Sequence, residues 1–142
     1  MLTFIQTARI DAPLEKVFAV VSDFSKIPQW RKDVPEITQI SGPTGTGTTF
    51  LEEVHFMGKK QLLMKVTDFV LNQKLVIEAQ HGMDLLPTQS FLFSAEGKAT
   101  RIDLTVVMRV SGLFKLMQFM LPMQLKKTWA EYFANLNTLV SK

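Results

Sequence analysis

Residues 101–110 alternate more cleanly than any other stretch of the chain. Ile102, Leu104, Val106, Met108 and Val110 fall on one face, and Arg101, Asp103, Thr105 and Arg109 on the other, with Val107 the one apolar exception. A period of two with one dry and one wet face predicts a strand of an antiparallel sheet. The same period predicts strands over 37–40, 49–57, 61–69, 75–80 and 88–95, and a first strand over 2–10 in which Phe4, Ala8 and Ile10 oppose Arg9. Met57-Gly58-Lys59 and Glu96-Gly97-Lys98 read as hairpin turns, Asn72-Gln73 as a connection, and the Gly/Thr-rich run 41–48 as a surface turn.

The period changes twice. After Asp11-Ala12-Pro13, the residues Leu14, Val17, Phe18 and Val21 follow the i, i+3, i+4, i+7 spacing of one buried helical face. Pro13 is expected in the first turn, where its missing N–H costs nothing, with Asp11 or Ala12 as the cap. Ser22-Asp23 ends this helix, and residues 24–30 form a second short helical piece limited by Pro28. Residues 113–140 are predicted as a long C-terminal helix that Pro122 kinks or restarts, with a bend expected between Met120 and Gln124. Leu125, Trp129, Tyr132, Phe133, Leu136, Leu139 and Val140 make its apolar stripe. The expected fold is α+β: a seven-stranded curved antiparallel sheet around a long C-terminal helix, with two short helices after strand 1.

Length and composition narrow the function classes. The chain has 142 residues, the size of one domain over 1–142, and no second domain is visible. With 46% hydrophobic and 20% charged residues it is expected to fold unaided. It contains no cysteine, which excludes a disulfide scaffold, a thiolate metal site and a cysteine nucleophile, and suits a cytoplasmic protein. No signal peptide or membrane-length apolar run is visible. The net charge of +3 is small, and Lys59-Lys60 and Lys126-Lys127 are isolated pairs, so nucleic acid is not an expected partner. The two histidines, His55 and His81, sit in no metal-binding or triad-like spacing, so neither a metal nor any other cofactor is expected.

Two features carry candidate chemistry. If Phe50, Val54 and Phe56 face the helix, Glu52 faces it too, and a buried carboxylate must find a partner or hold its proton more tightly. A one-residue register slip would instead turn Glu53 and His55 inward. The second feature is the chain's eight Met and eleven Phe. Soft and aromatic side chains suit the lining of a cavity between sheet and helix, because a single helix rarely fills so wide a curved sheet. The expected lining is Trp30, Phe50, Val54, Met64, Ile77, Phe91, Phe93, Met108, Met117, Met120, Trp129 and Phe133. The run Leu113-Phe114-Lys115-Leu116-Met117-Gln118-Phe119-Met120-Leu121 is apolar almost all round. It predicts a lid, a homodimer contact, a protein-docking surface or transient membrane contact.

The order of elements resembles the polyketide cyclase/dehydrase-like branch of the START-related (SRPBCC) superfamily, the helix-grip fold of the major birch pollen allergen. The resemblance rests on Ile10-Asp11-Ala12-Pro13, on Val17-Phe18-Ala19-Val20-Val21-Ser22-Asp23-Phe24, and on Ile27-Pro28-Gln29-Trp30. Further matches are Gly47-Thr48-Thr49-Phe50-Leu51-Glu52, Gly58-Lys59 and Thr100-Arg101-Ile102-Asp103-Leu104. It covers nearly the whole chain and implies a hydrophobic small-molecule ligand such as a lipid, quinone or polyketide. It also implies an alternative, a cyclase or dehydratase in which Glu52 moves a proton.

Overall fold

The computed structural model describes residues 2–55 and 58–141. Strand β1 (Leu2–Ile10) leads through α1 (Leu14–Val21), a 3-10 turn (Phe24–Lys26) and α2 (Ile27–Trp30) into six further strands. These are β2 (Glu36–Thr38), β3 (Thr49–His55), β4 (Lys59–Val70), β5 (Lys74–His81), β6 (Leu85–Glu96) and β7 (Ala99–Val110). A 3-10 turn (Gly112–Leu116) precedes α3 (Leu121–Val140). The sheet runs β1-β7-β6-β5-β4-β3-β2 with every neighbouring pair antiparallel. The seven-stranded sheet, the long C-terminal helix and the two short helices after strand 1 are as the periodicity predicts.

Alternation decides which face of the sheet meets α3. In β7 the buried residues are Ile102, Leu104, Val106 and Met108, and in β5 they are Leu75, Ile77 and Ala79. On α3, Trp129, Tyr132, Phe133, Leu136 and Val140 are buried on a single stripe. Asp11 and α3 are tied directly, because the Asp11 N–H donates to Asn137 Oδ1 at 2.7 Å. The Thr100 hydroxyl, wholly buried, donates to the Ala12 carbonyl at 2.8 Å and locks the start of β7 to the same corner.

Three local expectations are corrected. Neither Asp11 nor Ala12 caps α1: Pro13 itself stands at the cap with extended ψ, and its carbonyl accepts from the Lys16 and Val17 N–H groups. β2 stops at Thr38 because Gln39 adopts φ +54, which turns the chain out of the sheet. The C-terminal helix does not bend at Pro122 but starts beside it. A helix running through Pro122 would lose a main-chain hydrogen bond, so 112–120 fold as a 3-10 turn and successive tight turns, with Pro122 in the first turn of α3.

Candidate functional site

The interior between the sheet and α3 is an aromatic seam. Trp129 packs edge-on against Phe91 at 5.8 Å and Tyr132 at 4.9 Å between ring centroids, and lies 5.6 Å from Phe133. Trp30, delivered by α2, approaches the same group at 6.3 Å from Trp129 and 6.4 Å from Tyr132. Phe93 bridges Phe91 to Phe18 of α1, and Phe50 stacks on Phe24 at 4.3 Å. These contacts follow from the sequence: α2 is one turn long, so Trp30 enters the core where the chain leaves the helix.

Into this seam β3 inserts a carboxylate. Phe50 and Glu52 are buried on the same face, whereas His55 is exposed and Glu53 pairs with Lys59 at 3.1 Å on the opposite face. The parity that turns Glu52 inward is therefore the observed one. Phe56, which also entered that expectation, and Met57, expected in the hairpin turn, lie outside the described residues. Glu52 is 1% exposed, and its partner is Arg31, 7% exposed. Arg31 Nη1 donates to Oε1 at 3.2 Å and Nη2 to Oε2 at 3.3 Å, a fork-to-fork ion pair.

The guanidinium carbon lies 5.4 Å from the Trp129 ring centre and 5.0 Å from that of Tyr132, within cation–π range. Burial works to lower the Arg31 pKa, but the charges of Glu52 and Asp33 and the neighbouring Tyr132 outweigh it and the net shift is upward. The Tyr132 hydroxyl donates to the Asp33 carboxylate at 2.6 Å. Burial raises the phenol pKa first; Arg31 opposes this, and the Asp33 hydrogen bond adds to the rise.

Two donors in this cluster reach no acceptor among the described residues. They are Trp30 Nε1 and Arg31 Nε, both buried and on consecutive residues. An orphaned buried N–H costs about 1–3 kcal/mol, so an arriving oxygen acceptor would recover that free energy. Gln6 Oε1 is a third buried polar atom without a partner, on the inward face of β1.

Of the expected lining residues, Trp30, Phe50, Met64, Ile77, Phe91, Phe93, Met108, Trp129 and Phe133 are all in the core and Val54 packs against it. Met117 and Met120 are not: they sit on the turns before α3 and are exposed. The tight turns imposed ahead of Pro122 aim both away from the sheet. Arg31 and Asp33 escaped the sequence reading, because a charge beside a one-turn helix resembles solvated surface. The available signal was Glu52 itself, whose inward position calls for a cation. Among the described residues no cluster of metal-ligating side chains is present.

A seven-stranded antiparallel sheet that grips a long C-terminal helix is the helix-grip, START-related fold. The chain belongs to the family described as polyketide cyclase / dehydrase and lipid transport, whose model matches residues 1–140. With that membership comes the superfamily's general function, binding of a hydrophobic small molecule. The fold is similar to that of the Zhui aromatase/cyclase from Streptomyces sp. R1128 (TM-score 0.79, 11% identity, 98% of this chain and 93% of that one covered). It is also similar to a START superfamily protein from Mycobacterium smegmatis (TM-score 0.76, 19% identity, 98% and 97% covered). A conserved protein from Geobacillus kaustophilus gives a TM-score of 0.79 at 16% identity, with 99% and 95% covered. No protein of curated function matches the sequence.

Proposed function

We propose that this protein binds and carries a hydrophobic molecule with an oxygen-bearing end, such as a lipid, quinone or polyketide-like compound. The observation that carries the reading is the pair of buried donors that reach no acceptor among the described residues, Trp30 Nε1 and Arg31 Nε, inside a largely aromatic interior. Aromatic and thioether walls recognise the apolar body, and the two N–H groups recognise a carbonyl or carboxyl oxygen. Mass spectrometry of the gently purified native protein should reveal a co-purified apolar molecule containing oxygen. Trp30→Phe keeps an aromatic ring and removes one donor. It should weaken a fluorescent fatty-acid probe roughly tenfold and leave a purely hydrocarbon probe unchanged. Equal binding of the fatty-acid probe by Trp30→Phe and the parent would refute the donor role.

A second reading is an enzyme of the cyclase or dehydratase type, favoured by one observation, the inward burial of Glu52. The similarity in fold to a protein described as an aromatase/cyclase fits this reading without adding a residue to it. Turnover of a co-purified ligand, lost in Glu52→Gln but not in Trp30→Phe, would support it over carriage.

A further inference from the structure

We infer that the segment between β7 and α3 docks the protein on an anionic lipid surface. With the first turn of α3 it carries an unusual concentration of exposed apolar side chains: Leu113, Leu116, Met117, Phe119, Met120 and Met123, with Phe119 at 76% and Met123 at 81% exposure the extremes. Isolated exposed apolar residues are ordinary; a cluster this dense along one short segment marks a contact surface. The segment is not loose chain. Leu121 is buried, Phe114 packs on the core, and successive turn bonds run from Met117 N–H to Phe114 O and from Met120 N–H to Met117 O, each at 3.0 Å. The turns therefore hold one side on the protein and present the other outward.

Charge selects the occupant. From residue 104 to residue 130 the chain contains Arg109, Lys115, Lys126 and Lys127 and no Asp or Glu. Lys115, Lys126 and Lys127 are exposed and form no ion pair among the described residues. Asp84, a carboxylate beside the start of the segment, is engaged by the Ser111 hydroxyl at 3.4 Å. A two-fold contact with a second copy would face this positively charged patch with another of the same sign and no carboxylate between residues 104 and 130, which like-charge repulsion opposes. A bilayer with anionic headgroups satisfies both components, taking the apolar side chains below the headgroups and pairing the lysines with them. No helix among the described residues is long and apolar enough to cross a membrane, so the mode is surface docking.

The test is flotation with phosphatidylcholine vesicles, with and without phosphatidylserine, alongside sedimentation velocity on the protein alone. Binding is expected to the serine-lipid vesicles and to weaken with added salt. Each lysine should contribute roughly fivefold, so Lys115→Gln/Lys126→Gln/Lys127→Gln should lower partitioning by about a hundredfold. Leu116→Ser/Phe119→Ser/Met123→Ser should lower it roughly tenfold or more, and because these side chains are exposed the thermal transition should not move. Absence of binding to either vesicle overturns the inference. So does equal, salt-insensitive binding to both, or a dimer that the triple serine variant dissociates, which would make the patch a self-interface. None of these readouts depends on what the interior binds.

Discussion

Glu52→Gln is nearly isosteric, yet it is expected to be one of the costliest conservative changes available. It removes the negative charge facing Arg31 and leaves a guanidinium 7% exposed among Trp129 and Tyr132. Breaking a buried pair by neutralising one partner costs about 3–5 kcal/mol, most of it the stranded charge. Two features bring the expectation to the lower end. Glutamine keeps one carbonyl oxygen to accept one of the two N–H groups, and Asp33 still acts on Arg31 electrostatically. About 3 kcal/mol in a chain of this size lowers Tm by roughly 10 °C. The assay is urea unfolding followed by tryptophan fluorescence. Trp30 and Trp129 are the only two tryptophans and both belong to this cluster. The companion variant Arg31→Met/Glu52→Leu removes both charges and should recover most of the loss, because a buried pair contributes little net stability against apolar replacement. A Glu52→Gln protein within about 1 kcal/mol of the parent would refute the buried-charge argument. A double variant as unstable as the sum of its single changes would refute the coupling.

Tyr132 is the sole tyrosine, so an ultraviolet titration reads it without ambiguity. Burial, then the Asp33 hydrogen bond, raises its pKa against the lowering effect of Arg31. The folded state thus keeps the proton longer than the unfolded one, whose phenol titrates near about 10. The associated stability is complete below that pH and is lost as pH rises toward the folded value. Tyr132→Phe should remove this alkaline slope and cost about 1–2 kcal/mol at neutral pH; a native tyrosinate transition coincident with that in urea would contradict the assignment. Gly82→Ala should destabilise by about 2 kcal/mol or more in the same urea assay. Gly82 has φ +138, and an added Cβ would run into the Gln61 carbonyl oxygen. An unchanged midpoint would show that this turn relaxes freely.

Much of the fold was legible because period governs burial. The parity of β3 that Phe50 and Val54 suggest is the one observed, and the α1 and α3 stripes follow from 3.6-residue spacing. What stayed hidden are breaks in period. In β4, strict alternation over 61–69 puts Phe69 on the face opposite Leu62, Met64 and Val66. A bulge at Thr67 shifts the register, pairing Asp68 with Val76 and Phe69 with Leu75. Phe69 thereby joins the inward face and meets Phe18 at 5.5 Å. Nothing in the local pattern marks that extra residue. Met117 and Met120 were misplaced for a similar reason: Pro122 starts a helix as readily as it bends one, and only the tertiary fold chooses. Arg31 was invisible as a site residue because its burial depends on a partner twenty-one positions away.

The inward groups also differ in what they offer a reacting molecule. A general base needs an accessible lone pair, and both Glu52 oxygens already accept from the Arg31 fork. Each oxygen keeps a second lone pair, but a proton taken up there would neutralise Glu52 and strand the buried Arg31 charge, adding a barrier of the order of the pair's breaking cost. Tyr132 holds its proton toward Asp33, and Thr100 donates to the Ala12 carbonyl. What the interior leaves uncommitted among the described residues is a pair of donors, Trp30 Nε1 and Arg31 Nε, and one neutral amide oxygen, Gln6 Oε1, too weakly basic to take a proton. Donors of that kind retain or polarise an oxygen; they do not remove protons. The balance of groups therefore supports carriage over proton-transfer chemistry. On the proposed carrier reading the Arg31–Glu52 pair has a positioning role, in which Glu52 fixes the guanidinium plane so that Nε stays aimed within the core. Arg31→Lys preserves the charge but loses both the planar fork and Nε. On the carrier reading it should release an oxygen-bearing ligand while the protein remains folded. Retention of that ligand by folded Arg31→Lys would remove Arg31 from the binding site and leave Trp30 as its only polar contact.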